Sequence, residues 1–313
     1  LALLSFLRNR KRDRCLTGVV VSDHGVSLAS LERGAGDVPR VKALAQAAAG
    51  DQPWDTLTRL VDEHGIGKDT TSALVDGGQY QLMLVEAPDV PPEELRSAIR
   101  WRIKDLLSFH VDDATIDVFE IPDQKSQAGR LMYAVAARTP RIKQIIKGAG
   151  EAGLNLRIID LPEMALRNLA SLLDGDVRGV ASVYLGVDRG MIVISRQGTL
   201  FLARSFEVGE DQLAAASEEE RPLLLETISL ELQRSLDYYD SHFKQPPVGS
   251  IALLPTAVEL PFVAEHLESS LGVNVQQVDL NELLDADVPM ETPLQARCLL
   301  ALGAALRQDE VAL

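Results

Sequence analysis

The sequence predicts an α/β chain folded in two lobes, with a small αββαβ unit inserted into the first. Three observations carry this expectation. The chain has 313 residues, enough for two domains. Short alternating apolar runs broken by glycine-containing turns read as β-hairpins. Between them lie helical stripes, with apolar residues every three or four positions. Hydrophobic residues make up 46% of the chain and aromatic residues only 4%, so Leu, Val, Ala and Ile carry the packing.

Taken in order, 16–21 and 26–31 are strands around the turn Ser22-Asp23-His24-Gly25. A polar, Ala-rich stretch follows. Residues 54–64 then form an amphipathic helix with Leu57, Leu60 and Val61 inward. Strands 72–75 and 81–86 make a second hairpin, turned at Asp76-Gly77-Gly78. Residues 87–162 read as the inserted unit. Pro91-Pro92-Glu93-Glu94 opens its first helix, where proline and acids suit a first turn, and the helix runs on to Phe109. Leu95, Ile99, Ile103 and Leu106 form its apolar stripe, while Arg96, Arg100 and Lys104 line another face. Strands 115–121 and 131–137, a helix over 140–152 and a strand at 154–161 complete the unit.

Beyond it come a helix at 162–173 and a meander of strands at 181–187, 191–196 and 199–206. A long helix at 222–243 carries Leu225, Ile228, Leu232, Leu236 and Tyr239 on one side. A strand at 249–254, a turn at Pro255, a helix at 261–271, a strand at 273–279 and a last helix at 293–307 end the chain. The expected domains are lobe 1 at 15–86 and 163–177 with the C-terminal helix at 290–308, the insert at 87–162, and lobe 2 at 178–289.

The net charge of −15 argues against general nucleic-acid binding, which needs clustered Lys and Arg. Residues 1–14 hold Arg8, Arg10, Lys11, Arg12 and Arg14 against Asp13, a net of +4 that leaves −19 for the remainder. Two readings of this apolar and basic leader stay open. It trails off the domain, or it docks on an anionic membrane leaflet, each basic residue contributing about 1 kcal/mol. Its order, apolar before basic, is the reverse of a signal peptide. No run reaches the ~18 apolar residues that span a bilayer. Cys15 and Cys298 read as buried free thiols in a reducing compartment, so the expected location is cytoplasmic.

A search for catalytic chemistry returns little. Ser22-Asp23-His24 has the residue types of a triad, but consecutive residues cannot converge on one reacting centre. His24, His64, His110, His242 and His266 are scattered without metal-ligand spacing. Asp112-Asp113 and Glu218-Glu219-Glu220 read as solvated loops. No GxxxxGK[ST] loop occurs. No catalytic residue and no metal are expected.

The order of elements resembles the bilobal actin-like (ribonuclease H-like) ATPase fold. Six segments in sequence resemble, more narrowly, the PilM family of type IV pilus assembly proteins, and within it the branch serving the MSHA pilus. They are the helix at 94–109, Asp117-Val118, Tyr133-Ala134-Val135-Ala136-Ala137, and Gly153-Leu154 with Ile158-Ile159-Asp160. The helix at 231–239, reading ELQRSLDYY, and the closing LALGAALR at 300–307 are the other two.

In that fold the first hairpin turns an acid, a glycine and a lysine towards phosphate. The resemblance puts Val20, Ser22 and Ser27 in those places. The second hairpin has Tyr184 for its acid, beside Gly186, and the adenosine turn is Pro255-Thr256 where Gly-Gly is usual. Valine cannot order a Mg²⁺-bound water, and serine cannot reach a phosphate with charge. Proline removes an N–H and the close backbone approach that glycine allows. Three losses together predict a protein that holds partners without hydrolysing ATP, so neither ATP nor Mg is an expected cofactor.

The resemblance implies a scaffold peripheral to the inner membrane. It would bind the cytoplasmic N-terminal peptide of a bitopic PilN-like (MshJ-like) protein, with the assembly ATPase as a further partner. Such a peptide lies extended along a sheet edge, with pockets for alternate side chains. The implied walls are Leu106, Leu107 and Phe109 on one side and Ile158 and Asp160 on the other. Ordinary core packing is the competing reading for each. Two other functions stay open: a working actin-like ATPase of the pilus machine, and the cytoplasmic part of a type II secretion (GspL-like) platform subunit.

Overall fold

The computed structural model describes residues 15–33, 38–122 and 129–308. The leader at 1–14, with its expected membrane contact, lies outside them. Two mixed sheets built on one plan form the lobes. In lobe 1, β1 (Cys15–Ser22), β2 (Gly25–Glu32) and β3 (Arg40–Ala47) make an antiparallel meander. Next to β1, β4 (Thr70–Leu74) and then β8 (Asn155–Asp160) add in parallel. The short β14 (Asp285–Ala286) pairs with the outer side of β3. Lobe 2 repeats the plan: β9 (Val180–Leu185), β10 (Gly190–Arg196) and β11 (Thr199–Phe206) form the meander. On its β9 side lie β12 (Ser250–Leu253) and β13 (Val275–Gln277), again in parallel.

β3 falls in the stretch expected to be polar and Ala-rich. Its alanines are too small to signal a strand, and pairing with β2 along 26–32 is what extends it.

Each sheet carries helices on both faces. On lobe 1, α1 (Pro53–His64) and α3 (Thr139–Glu151) cover one face through Leu57, Leu60, Val61, Ile145 and Ala149. α1 starts on a first-turn proline and ends at Gly65, whose φ of 64° suits a glycine C-cap. The opposite face takes α8 (Thr292–Ala305), which lies on β1 so closely that a Cβ on Gly18 would stand 2.0 Å from the Ala301 carbonyl oxygen. On lobe 2, α6 (Arg221–Phe243) and α7 (Pro261–Leu271) cover one face, and α4 (Pro162–Ala170) the other. Residues 163–177, expected in lobe 1, therefore pack on the lobe 2 sheet, where Leu166, Leu169 and Leu173 are buried. α4 and α8 cross between the lobes: a Cβ on Gly303 would lie 2.3 Å from the Ala165 oxygen, and Asn168 donates to the Gly303 carbonyl at 2.9 Å.

The insert has a different strand content from the expected αββαβ. Its sheet has the order β5–β7–β6, made of β5 (Tyr80–Glu86), β6 (Ala114–Glu120) and β7 (Leu131–Arg138), all antiparallel. The 154–161 segment leaves to pair with β4 as β8, because Leu156 and Ile159 complete the lobe 1 core. The expected 72–75/81–86 hairpin is not one, since β4 and β5 join different sheets and Asp76-Gly77-Gly78 links them. Apolar residues on both faces of β5 explain its place. Met83 and Val85 meet the insert's own helix, α2 (Pro92–Ile103), while Leu82 and Leu84 pack towards lobe 2. On that second face the Tyr133 hydroxyl donates to the Phe201 carbonyl of β11 at 3.1 Å. α2 ends at Ile103 rather than reaching Phe109.

Candidate functional site: the interlobe cleft

The β1–β2 and β9–β10 turns face each other across a cavity of about 520 Å³. At its mouth His24 Nε2 lies 3.6 Å from Asp188 Oδ1. Of the seven positions singled out in the sequence, Val20, Ser22, Ser27, Tyr184 and Gly186 line this cavity. Val20 and Ser27 are paired across β1 and β2, and Tyr184 pairs with Met191 across β9 and β10. The Ser22 hydroxyl donates to Gly25 O at 3.1 Å, tying down its own turn. Tyr184 curls back over the lobe 2 turn, its ring 3.1 Å from where a Gly186 Cβ would sit. Burial, then the nearby Glu210, Asp188 and Asp76, push the Tyr184 phenol well above its ordinary value.

Pro255 and Thr256 stand apart from the cavity lining. Pro255 is buried, and the Thr256 hydroxyl donates to Val258 O at 2.7 Å. Their loop is held by Glu210, the first residue of the short α5 (Glu210–Ala215). Its carboxylate accepts the Ala257 N–H at 2.8 Å, while its own N–H donates to Gly186 O at 2.7 Å. One residue thus links the lobe 2 turn to the 255–258 loop and satisfies an N–H there.

Two cleft residues escaped the sequence reading. Glu163, in the first turn of α4, is 5% exposed, and both of its carboxylate oxygens accept from the Tyr80 hydroxyl, at 2.9 and 2.7 Å. Burial pushes Glu163 up to about 7, the Tyr80 hydrogen bond opposes that shift, and Asp160 adds to it. An acid after Pro162 looks like ordinary first-turn chemistry, and Tyr80 is 83 positions away, so no local signal joins them. Asp76 is also pushed up, by burial first, with Arg141 opposing.

The cavity contains Asp23, Asp76, Glu163, Asp188 and Glu210 against His24, Arg189 and Arg297. This excess of acid disfavours a bare polyphosphate. Among the described residues no group of three His, Cys, Asp or Glu side chains is placed to hold a metal ion. Nor is any described helix long and apolar enough to cross a membrane. Cys298 is buried, which pushes its thiol up to about 12, and both cysteines are free.

The expected peptide walls lie in different units, one in the segment after α2 of the insert and the other on β8 of the lobe 1 sheet. Leu107 and Phe109 pack into the insert core with Ile99 and Ile103, and the Arg138 guanidinium stands 4.4 Å over the Phe109 ring. Leu106 is 59% exposed. Asp160 is buried in an ion pair with Arg307 and accepts the Leu161 N–H at 2.9 Å. Ile158 is half-buried on β8, the outermost strand of the lobe 1 sheet.

No family model matches the chain, and no curated protein matches it by sequence. Solved structures do. The PilM–PilN type IV pilus biogenesis complex is similar with a TM-score of 0.74 and 22% identity, over 94% of this chain and 98% of that one. The cytoplasmic domain of EpsL, an inner-membrane component of the type II secretion system of Vibrio cholerae, gives 0.54 at 11% identity, over 94% and 96%. A protein of unknown function from Bacteroides thetaiotaomicron with the actin-like ATPase fold gives 0.53 at 11% identity, over 93% and 97%. With its two lobes on one sheet plan around a cleft, the chain has the actin-like ATPase fold.

Proposed function

We propose that this protein is a non-catalytic component of the inner-membrane assembly platform of a type IV pilus, of the MSHA type. It works on the cytoplasmic face, and binds the N-terminal peptide of a bitopic PilN-like (MshJ-like) protein. The match to the PilM–PilN complex over nearly all of both chains is the observation that carries this reading. The non-catalytic part is supported by the cleft. There Val20 stands in place of an acid, Tyr184 covers the second turn, and Glu210 takes up an N–H of the 255–258 loop.

β8 offers the peptide a sheet edge, because its only strand partner among the described residues is β4. A strand added there would gain main-chain hydrogen bonds, with apolar side chains set beside Ile158, while the exposed Leu106 is the insert's side of the proposed groove. Calorimetric titration with the partner's N-terminal peptide tests this. Leu106→Asp and Ile158→Asp should each weaken binding about tenfold in folded protein, a loss of ~1.4 kcal/mol. Absence of binding by wild type, with or without Mg-ATP, would end the reading. Melting several degrees higher in millimolar Mg-ATP would count against its non-catalytic part. The EpsL likeness favours one second reading, a type II secretion platform subunit, which predicts tighter binding to a peptide from that system.

A further inference from the structure

Charge in the interlobe cavity is matched at some walls and unmatched at others. In lobe 2, Asp188 has Arg189 at 3.7 Å and His24 at 3.6 Å, and Arg297 of α8 faces Glu210. The acids at the β1–β2 turn, the β4–β5 link and α4 are less well served. Asp23 has no ion pair among the described residues. Asp76, close enough to Asp23 to feel its charge, is offset chiefly by Arg141, which already donates to the Val21 carbonyl at 2.9 Å. Glu163 has only uncharged donors, the Tyr80 hydroxyl and its own backbone N–H.

Ser27 is an independent sign of a ligand. It stands in a cross-strand row with Val20 and Gln46, and all three line the cavity. Ser27 is 7% exposed, yet its hydroxyl has no hydrogen-bond partner among the described residues. A buried polar group placed in this way is satisfied by what fills the cavity. Val20, Leu82, Met191 and Leu300 give the same cavity an apolar floor. Its volume of about 520 Å³ lies in the range of small-molecule sites. The acids are spread around the wall, and among the described residues none converge as metal ligands. Spread charge over an apolar floor suits a cation whose charges are spaced along methylenes.

We propose that the interlobe cavity binds a linear aliphatic polyamine. One ammonium group sits at Glu163 and another at Asp23 and Asp76, methylenes cover the apolar floor, and an N–H donates to the Ser27 hydroxyl. A carboxylate has about four lone-pair sites, and the Tyr80 hydroxyl leaves room at Glu163 for an ammonium donor. Hydrogen bonds between two charged groups are the strong kind. Burial pushes Asp76 and Glu163 up, and a cation beside them opposes that shift. The site uses no residue of β8, so it does not depend on the function proposed above.

Calorimetric titration of the full chain with spermidine, at pH 8 and 0.15 M salt, tests the site. At that ionic strength the general attraction of a chain of net charge −15 is largely screened. Wild type should bind one spermidine saturably. Glu163→Gln, which keeps an acceptor for Tyr80, and Asp76→Asn should each weaken binding about tenfold, and Ser27→Ala about threefold. Butylamine, with one charge, should bind at least about tenfold more weakly than spermidine. Glu218→Gln, in an exposed turn, should leave the affinity unchanged. Melting curves check that each variant folds, and if Glu163→Gln does not, Asp76→Asn decides. Absence of saturable binding overturns the site. So does full affinity in the folded Glu163 and Asp76 variants, an equal loss in Glu218→Gln, or butylamine binding as tightly as spermidine.

Discussion

Val20 in lobe 1 and Tyr184 in lobe 2 occupy the same place, two residues before the turn on the first strand of each meander, yet they close the cleft differently. Val20 stays flush with its sheet and forms apolar floor beside Leu300. Tyr184 reaches back over Gly186 and fills space above the turn. The helix layers differ in the same way. Two residues earlier, β1 has Gly18, pressed by the α8 backbone, where β9 has the buried Ser182. Lobe 1 is thus tight against its interlobe helix, while lobe 2 has room for a side chain at that position. A shared strand plan does not impose a shared packing distance.

Exchanging those two residues should give the largest effect. Gly18→Ser forces a side chain into the Ala301 carbonyl and the Ala305 N–H, which are backbone and cannot turn aside. A loss of at least about 3 kcal/mol is expected, the upper end of overpacking. Ser182→Gly should cost only about 1 kcal/mol, from backbone entropy. Urea unfolding of both variants measures this, and equal losses would break the contrast between the lobes.

The first turns of the two crossing helices give the next test. α8 exposes Glu291 and Thr292, whereas α4 buries Glu163. Glu163 in the folded chain titrates at about 7, above its ordinary value of 4.5. Between those values the folded state keeps a proton that the unfolded state has released. Stability from this group is therefore full below about pH 4.5, falls as pH rises towards 7, and is flat above. The fall should be about 3 kcal/mol. Glu163→Gln should remove that slope, measured as unfolding midpoints from pH 5 to 8, while Glu291→Gln should leave it in place.

What the sequence revealed followed the strength of local pattern. The long Leu stripe of α6 and the compact apolar run of α7 set their own limits, and α7 spans the expected residues. β3 was missed because Ala43, Ala45 and Ala47 carry too little apolar surface to mark a strand. β5 and β8 were recognised as strands but assigned to the wrong partners. Alternation shows that a strand exists, and only long-range burial decides which sheet it joins. The hairpin positions Val20, Ser22, Ser27, Tyr184 and Gly186 were legible because each meander is local in sequence. Tyr80 with Glu163, and Glu210 with the Ala257 amide, were not, since the partners stand 83 and 47 positions apart and meet only in the folded chain.

The smallest effect is expected where the lobes touch most visibly. His24 and Asp188 bridge the two turns at 3.6 Å, but their side chains are 47% and 53% exposed. Solvent screening limits such a pair to at most about 0.5 kcal/mol. The buried groups beneath do more to fix the cleft: the α4–α8 crossing at Gly303 and Ala165, and the insert's Tyr133 on the edge of β11. His24→Ala and Asp188→Ala should therefore leave the unfolding midpoint nearly unchanged, at low salt and at 1 M salt alike. If either variant lost more than about 1 kcal/mol at low salt, and recovered none of it at high salt, the turns would be a buried joint. The two lobes would then be held by their hairpins rather than by their crossing helices.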